Sequence, residues 1–250
     1  KCQIMKLKLA QRSESRMRIA LCGPSGSGKT YSALELAFGL TRNKNIAVVD
    51  TESGSASLYS HLGEYWTINL AAPYTPERYM EAMQACIDHG ADVIILDSLS
   101  HEWDGSGGIL ESHGSMPGNS FANWSTFTPR HNRLVEFIHQ LPVHCIATIR
   151  TKQDYVLNQQ NGKSIPQKVG LKPIQRDGID YEFTVVFDLD HTHVARTSKD
   201  RTGLFHQKVE RVGRNTGRAM LEWCEGSHPE TPADVMFELS KTYVSNGSPF

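Results

Sequence analysis

Gly23-Pro24-Ser25-Gly26-Ser27-Gly28-Lys29-Thr30 is the stretch of this 250-residue chain that decides its fold. Residues 17–22 before it are mostly apolar and predict a short buried strand, and residues 30–39 after it predict a helix. The pattern G-x-x-x-x-G-K-[ST] is specific when it stands between a strand and a helix. In that setting the loop N–H groups and the helix N-terminus point towards phosphate groups. We therefore expect all eight residues to contact a nucleotide, with Lys29 at the β- and γ-phosphates and the Thr30 hydroxyl on Mg²⁺. ATP and Mg²⁺ are the predicted cofactors.

Further buried strands follow this motif along the chain. They are rich in valine and isoleucine and comprise residues 46–50, 93–97 and 143–149. Helices are predicted between them, one opened by the capping sequence Thr75-Pro76-Glu77 and another over residues 130–141. Alternating buried strands and helices predict an α/β fold, in which helices cover both faces of a mostly parallel sheet.

The pattern changes after residue 180. Short apolar stretches now follow one another with turns between them, at residues 183–189, 193–196 and 205–209. They predict an antiparallel C-terminal extension of the sheet. A last helix is predicted over residues 231–243, and residues 2–9 alternate enough to form a strand or an extended arm.

Two acidic residues come at the ends of predicted strands. Asp97 ends an apolar strand and precedes Ser98, as a Walker B acid does, and would hold Mg²⁺ through water. Glu52 follows the next strand after the motif's helix, where a carboxylate can face the γ-phosphate and polarise the attacking water. Glu52 is therefore our candidate catalytic base. The alternatives are a simple helix cap for Asp97 and a surface-loop acid for Glu52.

These three segments together resemble the ATPase core of the RecA-like recombinases, whose catalytic glutamate lies on the strand next to the P-loop strand. The matching stretches are Val48-Val49-Asp50-Thr51-Glu52-Ser53, Val93-Ile94-Ile95-Leu96-Asp97-Ser98-Leu99 and Ile146-Ala147-Thr148-Ile149-Arg150-Thr151-Lys152. The likeness covers roughly residues 17–210 and implies a RecA-like P-loop fold. The chain is most similar to the compact, single-domain RecA-like ATPases that phages encode next to recombination genes. It departs from the family at Thr148, where those proteins carry a longer glutamine that senses the γ-phosphate.

The resemblance implies an ATP-hydrolysing protein that assembles on single-stranded DNA and promotes annealing or strand exchange in homologous recombination. It implies a homo-oligomer, either ring or filament, with a single-strand DNA-binding protein as a further partner, in the cytoplasm of a bacterial or phage-infected cell. The chain then divides into an N-terminal arm and linker (1–16, a candidate subunit contact), a RecA-like ATPase domain (17–245) and a tail (246–250). The alternative is the same fold acting on a protein partner, as a helicase loader, a motor subunit or a signalling ATPase.

Two long stretches are candidate DNA-binding loops, because both follow strands at the edge that carries such loops in RecA-like proteins. They cover residues 101–125 and 153–175. Aromatic side chains can stack on bases, and lysine and arginine can pair with phosphates. The candidates are Trp103, Trp124, Lys163, Lys168, Lys172 and Arg176. The alternative is that the aromatic residues pack as core and the lysines are solvated.

The segment Ser198-Lys199-Asp200-Arg201-Thr202-Gly203 is predicted to be a basic turn between two strands. In RecA-like oligomers, basic residues near this place reach the γ-phosphate bound by the neighbouring subunit. The resemblance thus makes Lys199 and Arg201 candidate catalytic cations in trans, and a spacing of two on an extended segment points them the same way. The alternative is an ordinary hairpin turn.

Composition excludes several classes of protein. The formal net charge is −1, so any DNA contact must come from local clusters of charge. Five cysteines are scattered without a C-x-x-C pair, which argues against a disulfide framework and a zinc site. His191 and His193 lack partners at ligand spacing and are interpreted as strand-edge residues. No apolar run approaches the ~18 residues of a membrane span.

Overall fold

The computed structural model describes residues 10–41, 45–160, 163–206 and 208–226. The strands in these ranges are β1 (Arg18–Gly23), β2 (Ile46–Asp50), β3 (Trp66–Asn69), β4 (Val93–Asp97), β5 (His144–Gln160), β6 (Lys163–Pro173), β7 (Val185–Leu189), β8 (Ala195–Asp200) and β9 (Val209–Glu210). The α-helices are α1 (Lys29–Leu40), α2 (Pro76–Asp88), α3 (Ser100–Asp104), α4 (Ile109–Ser115), α5 (Ser120–Gln140) and α6 (Arg214–Cys224). Single 3₁₀ segments cover Arg12–Glu14, Ser55–Leu62 and Ile179–Glu182.

The main sheet has the strand order β3-β2-β4-β5-β1-β7-β8-β9. The strands from β3 to β7 in this order pair in parallel, whereas β8 and β9 are antiparallel. This arrangement confirms the predicted α/β fold with its antiparallel extension. Because β1, β2, β4 and β5 run the same way, their carboxyl ends meet at one edge of the sheet, which is where open α/β sheets bind ligands.

Helices cover both faces of the sheet, and alternate residues of β1 divide between the two layers. Ile19 and Leu21 pack into the layer that contains α1 and α6, whereas Ala20 and Cys22 pack into the layer that contains α2 and α5. No helix in the described ranges is long and apolar enough to cross a membrane.

Two glycines let α1 and α6 approach closely. A Cβ atom added to Gly217 would lie 2.1 Å from the carbonyl oxygen of Leu36, and one added to Gly39 would lie 2.0 Å from that of Arg214. Backbone atoms cannot move aside as a flexible side chain can, so both positions require glycine for this packing.

Arg18 is the one charged residue in the strand before the motif, and it is buried. Its guanidinium donates to the carbonyl oxygens of Ile138, His139 and Leu141 at the end of α5 and to that of Val143. Arg18 thus supplies hydrogen-bond donors to carbonyl groups at and just beyond the C-terminus of α5, although it lies in β1.

Residues 101–125, predicted as a long loop, instead form α3, α4 and the first part of α5. The helix predicted over residues 130–141 corresponds to the C-terminal half of α5, and Pro129 lies inside α5. The helix begins earlier because the Asn119 side chain accepts hydrogen bonds from the backbone N–H groups of Phe121 and Ala122.

Residues 153–175 were also predicted as a loop, and this too is wrong. Most of them form a β-hairpin in which β5 continues beyond the sheet and pairs with β6. Its residues are mostly polar, so the alternation that marks a half-buried strand is weak. The predicted strand over 205–209 shrinks to β9, because the Asp200 side chain accepts from the N–H groups of Thr202, Gly203 and Phe205 and closes a turn.

Several predictions concern residues outside the described part of the chain. They are the arm over residues 2–9, the helix over residues 231–243 and the tail.

Candidate active site

The glycine loop between β1 and α1 has the backbone that its sequence predicts. Gly26 and Gly28 are left-handed, with φ of 77° and 83°. Gly23 is required for a different reason, since an added Cβ atom would lie 2.5 Å from Ser27 Oγ and 2.7 Å from the carbonyl oxygen of Leu189. The loop therefore closes tightly over the end of β1 and leads into the N-terminus of α1, a geometry suited to phosphate.

Lys29 is half-buried at the start of α1. Its ammonium group donates to the carbonyl oxygens of Gly23, at 2.9 Å, and Pro24, at 2.8 Å. Burial lowers its pKa, and the nearby carboxylates of Asp97 and Glu52 oppose that shift. The ammonium thus lies between the loop carbonyls and two acidic groups, where a phosphate would be its strongest partner.

Asp97 is buried at the end of β4, and two threonines hold its carboxylate. Thr30 Oγ1 donates to Oδ2 at 2.7 Å, and Thr148 Oγ1 donates to Oδ1 at 2.5 Å. Burial raises the pKa of Asp97, while these hydrogen bonds act in the opposite direction. The structure therefore brings together Thr30 and Asp97, the two predicted magnesium ligands, and their oxygen atoms are of the type that Mg²⁺ prefers.

Asp50 ends β2 beside Asp97 and shapes the loop that carries Glu52. Its carboxylate accepts from the backbone N–H groups of Glu52, at 2.7 Å, Gly54, at 3.3 Å, and Ala56, at 2.8 Å. These bonds fold the chain back after β2 and hold Glu52 at the carboxyl edge of the sheet.

Arg150, which the sequence did not single out, pairs with Glu52 through two hydrogen bonds. Arg150 Nε donates to Glu52 Oε1 at 2.9 Å, and a terminal guanidinium nitrogen donates to Oε2 at 2.5 Å. Arg150 comes directly after the apolar part of β5, just as Asp97 comes at the end of β4. This position at the carboxyl end of a buried strand is the sequence signal that could have identified Arg150 as a site residue.

These groups line one cavity of about 410 Å³. Its lining residues include Lys29, Thr30, Glu52, Asp97 and Arg150, together with loop residues Ser25, Gly26 and Gly28. Thr151 also lines it, and within the described residues its buried hydroxyl has no hydrogen-bond partner. Glycine-loop backbone, one ammonium, one guanidinium and a threonine–aspartate pair form a donor set that fits a magnesium nucleotide.

A second cavity, of about 680 Å³, contains four of the predicted DNA-binding residues: Trp103, Trp124, Lys172 and Arg176. The indole rings of Trp103 and Trp124 stack, with centroids 5.9 Å apart and planes 21° apart. Lys172 pairs with Asp177 at 2.8 Å. The other two predicted residues, Lys163 and Lys168, lie on β6, and their side chains are outside the described part of the structure.

The two cavities are neighbours. Ile174, the residue after β6, lines both of them. The second cavity also holds three acidic residues, Asp104, Asp154 and Asp177, so its charge is mixed.

Lys199 and Arg201 point the same way, as expected from their spacing. Lys199 Nζ donates to the carbonyl oxygens of Asp180, at 2.8 Å, and Tyr181, at 2.7 Å, and Arg201 donates to that of Tyr181 at 3.1 Å. The prediction of a turn is wrong for Lys199, which lies within β8 opposite Val186. Neither residue lines the nucleotide cavity of its own chain.

Comparison with known proteins identifies a family for this chain. Residues 15–217 match the profile of the AAA domain family (AAA_24). No curated protein matches the chain. The structure is similar to that of the flagellar accessory protein FlaH from Methanocaldococcus jannaschii, with 15% identity, 81% of this chain and 91% of that chain covered, and a TM-score of 0.42. A type III secretion system ATPase of pathogenic bacteria gives 15% identity, coverage of 86% and 67%, and a TM-score of 0.43.

These two structural likenesses are too distant to carry an argument about activity. The family match, by contrast, includes every residue that lines the nucleotide cavity. The chain therefore belongs to the AAA domain family and is a P-loop ATPase domain with an α/β fold.

Proposed function

We propose that the chain hydrolyses ATP in the 410 Å³ cavity and uses this reaction to control its binding to single-stranded DNA in homologous recombination. Lys29 would hold the β- and γ-phosphates. Thr30 and Asp97, the latter through water, would hold Mg²⁺, which would neutralise charge on the phosphates. Glu52 would accept a proton from the attacking water, since it is the remaining carboxylate on the cavity wall.

The observation that carries the DNA proposal is the second cavity and its shared wall. It combines stacked indoles and three cationic side chains, Lys152, Lys172 and Arg176, next to the nucleotide cavity. Stacking on aromatic side chains binds single-stranded bases without sequence preference. Phe121, on the rim, is 89% exposed and offers a further ring. A ligand in the second cavity would contact Ile174. Because Ile174 also lines the nucleotide cavity, binding of that ligand would affect the nucleotide site.

We further propose that the active form is a homo-oligomer, ring or filament, that promotes annealing or strand exchange. Lys199 and Arg201 would supply cations to the γ-phosphate bound by the neighbouring subunit, since they lie together outside the nucleotide cavity of their own chain. Residues 1–16 would contribute a subunit contact. A single-strand DNA-binding protein would be a further partner, and the bacterial or phage-infected cytoplasm the place of action.

One observation favours a second candidate function. Asp104, Asp154 and Asp177 balance the three cationic side chains of the second cavity, which weakens its attraction for a phosphate backbone and suits a protein surface of mixed charge. A protein partner, in a helicase loader, motor or signalling ATPase, is therefore the alternative.

Binding of a labelled single-stranded oligonucleotide, with and without ATP and Mg²⁺, tests the DNA proposal. We expect saturable binding that depends on nucleotide and competes with unlabelled single strands. Absence of binding with every nucleotide would contradict the DNA role and favour the protein-partner alternative. Sedimentation of the Lys199→Ala and Arg201→Ala variants beside the unaltered chain would separate a defect in assembly from a defect in catalysis.

A further inference from the structure

The ion pair between Arg150 and Glu52 occupies the carboxylate that hydrolysis requires. Both oxygens of Glu52 accept hydrogen bonds from the guanidinium, at 2.9 and 2.5 Å. Each carboxylate oxygen therefore gives one of its acceptor positions to the guanidinium, which leaves fewer for a water molecule. In this arrangement Glu52 is in place for hydrolysis, but its carboxylate is engaged by Arg150.

The backbone of Arg150 is held in place by hydrogen bonds, whereas its side chain can change its hydrogen-bond partner. Its N–H donates to Ser100 Oγ at 2.9 Å, and its carbonyl oxygen accepts from the Ile174 N–H at 2.7 Å. The side chains of Arg150 and Glu52 are 38% and 25% exposed, so water competes for both partners. The guanidinium can therefore change partner without a change in β5.

A terminal phosphate is the natural competitor for this guanidinium. Arginine binds phosphate through the same two-point geometry that it uses with carboxylate, and phosphate carries more charge. Arg150 and Lys29 line the same cavity. A nucleoside diphosphate lacks the group that would complete the exchange.

We propose that Arg150 distinguishes ATP from ADP by changing partner: it leaves Glu52 for the γ-phosphate and so releases the Glu52 carboxylate to activate water. The residue contacts the substrate and also positions the base. Thr148, where the family resemblance places a γ-phosphate sensor, is not available for this task because it donates to Asp97. The Arg150 carbonyl accepts a hydrogen bond from the N–H of Ile174, which lines both cavities. The partner change of Arg150 is therefore linked through the backbone to the second cavity.

The test measures binding rather than turnover. Dissociation constants for ADP and for the hydrolysis-resistant analogue AMPPNP, each with Mg²⁺ and without DNA, give a preference ratio for each variant. Arg150→Ala should lower the preference for AMPPNP about tenfold, the value of one charge-assisted contact. Glu52→Gln should raise that preference severalfold, because the guanidinium no longer has to leave a carboxylate.

A second bidentate pair supplies the matched control. Arg130 and Glu77 join α5 to α2 through two hydrogen bonds of 2.9 and 2.7 Å, and neither lines the nucleotide cavity. Arg130→Ala and Glu77→Gln should leave the ratio unchanged. Glu52→Gln, which keeps the size of the side chain, preserves the test if Arg150→Ala does not fold.

The outcomes are separable from those of the DNA proposal, since the assay contains no DNA. The opposite shifts in Arg150→Ala and Glu52→Gln support the exchange. An unchanged ratio in either folded variant overturns it, as does the absence of AMPPNP binding to the unaltered chain.

Discussion

Thr148 Oγ1 donates a 2.5 Å hydrogen bond to Oδ1 of Asp97, so that β5 holds the acid that ends β4. Both residues are buried, and the other carboxylate oxygen is held by Thr30. The acid proposed to hold magnesium is thus oriented by one threonine from the glycine loop's helix and one from the neighbouring strand. This relationship explains why a short hydroxyl residue stands at position 148.

Thr148→Val should destabilise the fold by about 1–3 kcal/mol at neutral pH, because a buried carboxylate loses a partner. Burial already raises the pKa of Asp97, and the loss of this bond should raise it further. A carboxyl group with a raised pKa costs stability as pH rises through its ordinary range, so the defect should shrink in acid. Urea unfolding at several pH values measures this. Thr126→Val, at an exposed position of α5, is the control, and an equal defect in both variants would contradict the account.

Because His144 is buried, we expect the free energy of unfolding of the domain to fall in acid. Its imidazole is buried, and its Nδ1 accepts from the Met17 backbone N–H at 2.9 Å. Burial, followed by the charges of Arg16 and Arg18, lowers its pKa to about 4. Because the pKa of His144 is lower in the folded protein than in the unfolded chain, the unfolded chain binds the proton first as the pH falls. The protein therefore loses stability between the ordinary histidine pKa and the folded-state pKa, and the total loss is about 3 kcal/mol.

His144→Gln should therefore lose less stability than the unaltered chain between neutral pH and about pH 4. The free energy of unfolding in urea, measured along this range, checks it. The exposed His61→Gln variant should follow the unaltered chain. Identical pH slopes for all three proteins would show that His144 is not the group responsible.

Gly217→Ala should destabilise the domain by about 1–3 kcal/mol, because the new methyl group would collide with the Leu36 carbonyl across the α1–α6 contact. Gly114→Ala is a matched control within helix α4, where an added Cβ atom meets nothing within 4 Å. That variant should be unchanged or more stable by about 0.5–1 kcal/mol, as alanine favours helix. Thermal unfolding compares the two, and equal midpoints would disprove the close helix contact.

Trp124→Ala should weaken binding of single-stranded DNA about tenfold, since it removes one ring of the stacked pair. Trp66→Ala removes an indole that is 60% exposed on β3 and lies outside the second cavity. Fluorescence anisotropy of a labelled oligonucleotide measures both variants. Equal affinities for the two would remove the second cavity from the account of DNA binding.

The strands and residues around the nucleotide cavity could be predicted from the sequence, whereas the helices and the hairpin around the second cavity could not. Both outcomes have physical reasons. The strands at Ile46–Asp50 and Val93–Asp97 have the predicted bounds, because parallel strands buried on both faces are nearly continuous apolar runs. Since the carboxyl ends of such strands share one edge, the sequence alone places Glu52 and Asp97 together with Lys29.

The rest depended on contacts that no local pattern encodes. Asn119 starts α5 and Pro129 is accommodated within it, so helix replaces a predicted loop. The β5–β6 hairpin is built by backbone pairing between two mostly polar stretches, and a polar sequence gives little signal for a strand. Arg150 is 98 residues away from Glu52 in the chain, and a pair so distant is visible only once the strands are placed.

The most direct measurement is the rate of ATP hydrolysis with Mg²⁺, with and without single-stranded DNA, for the unaltered chain and for Lys29→Ala and Glu52→Gln. The account predicts that DNA raises turnover severalfold and that each substitution lowers it by about 100-fold or more. A rate of ATP hydrolysis that is the same with and without DNA would contradict the recombination role and favour a protein partner. Turnover that survives both substitutions would contradict the assignment of the active site itself.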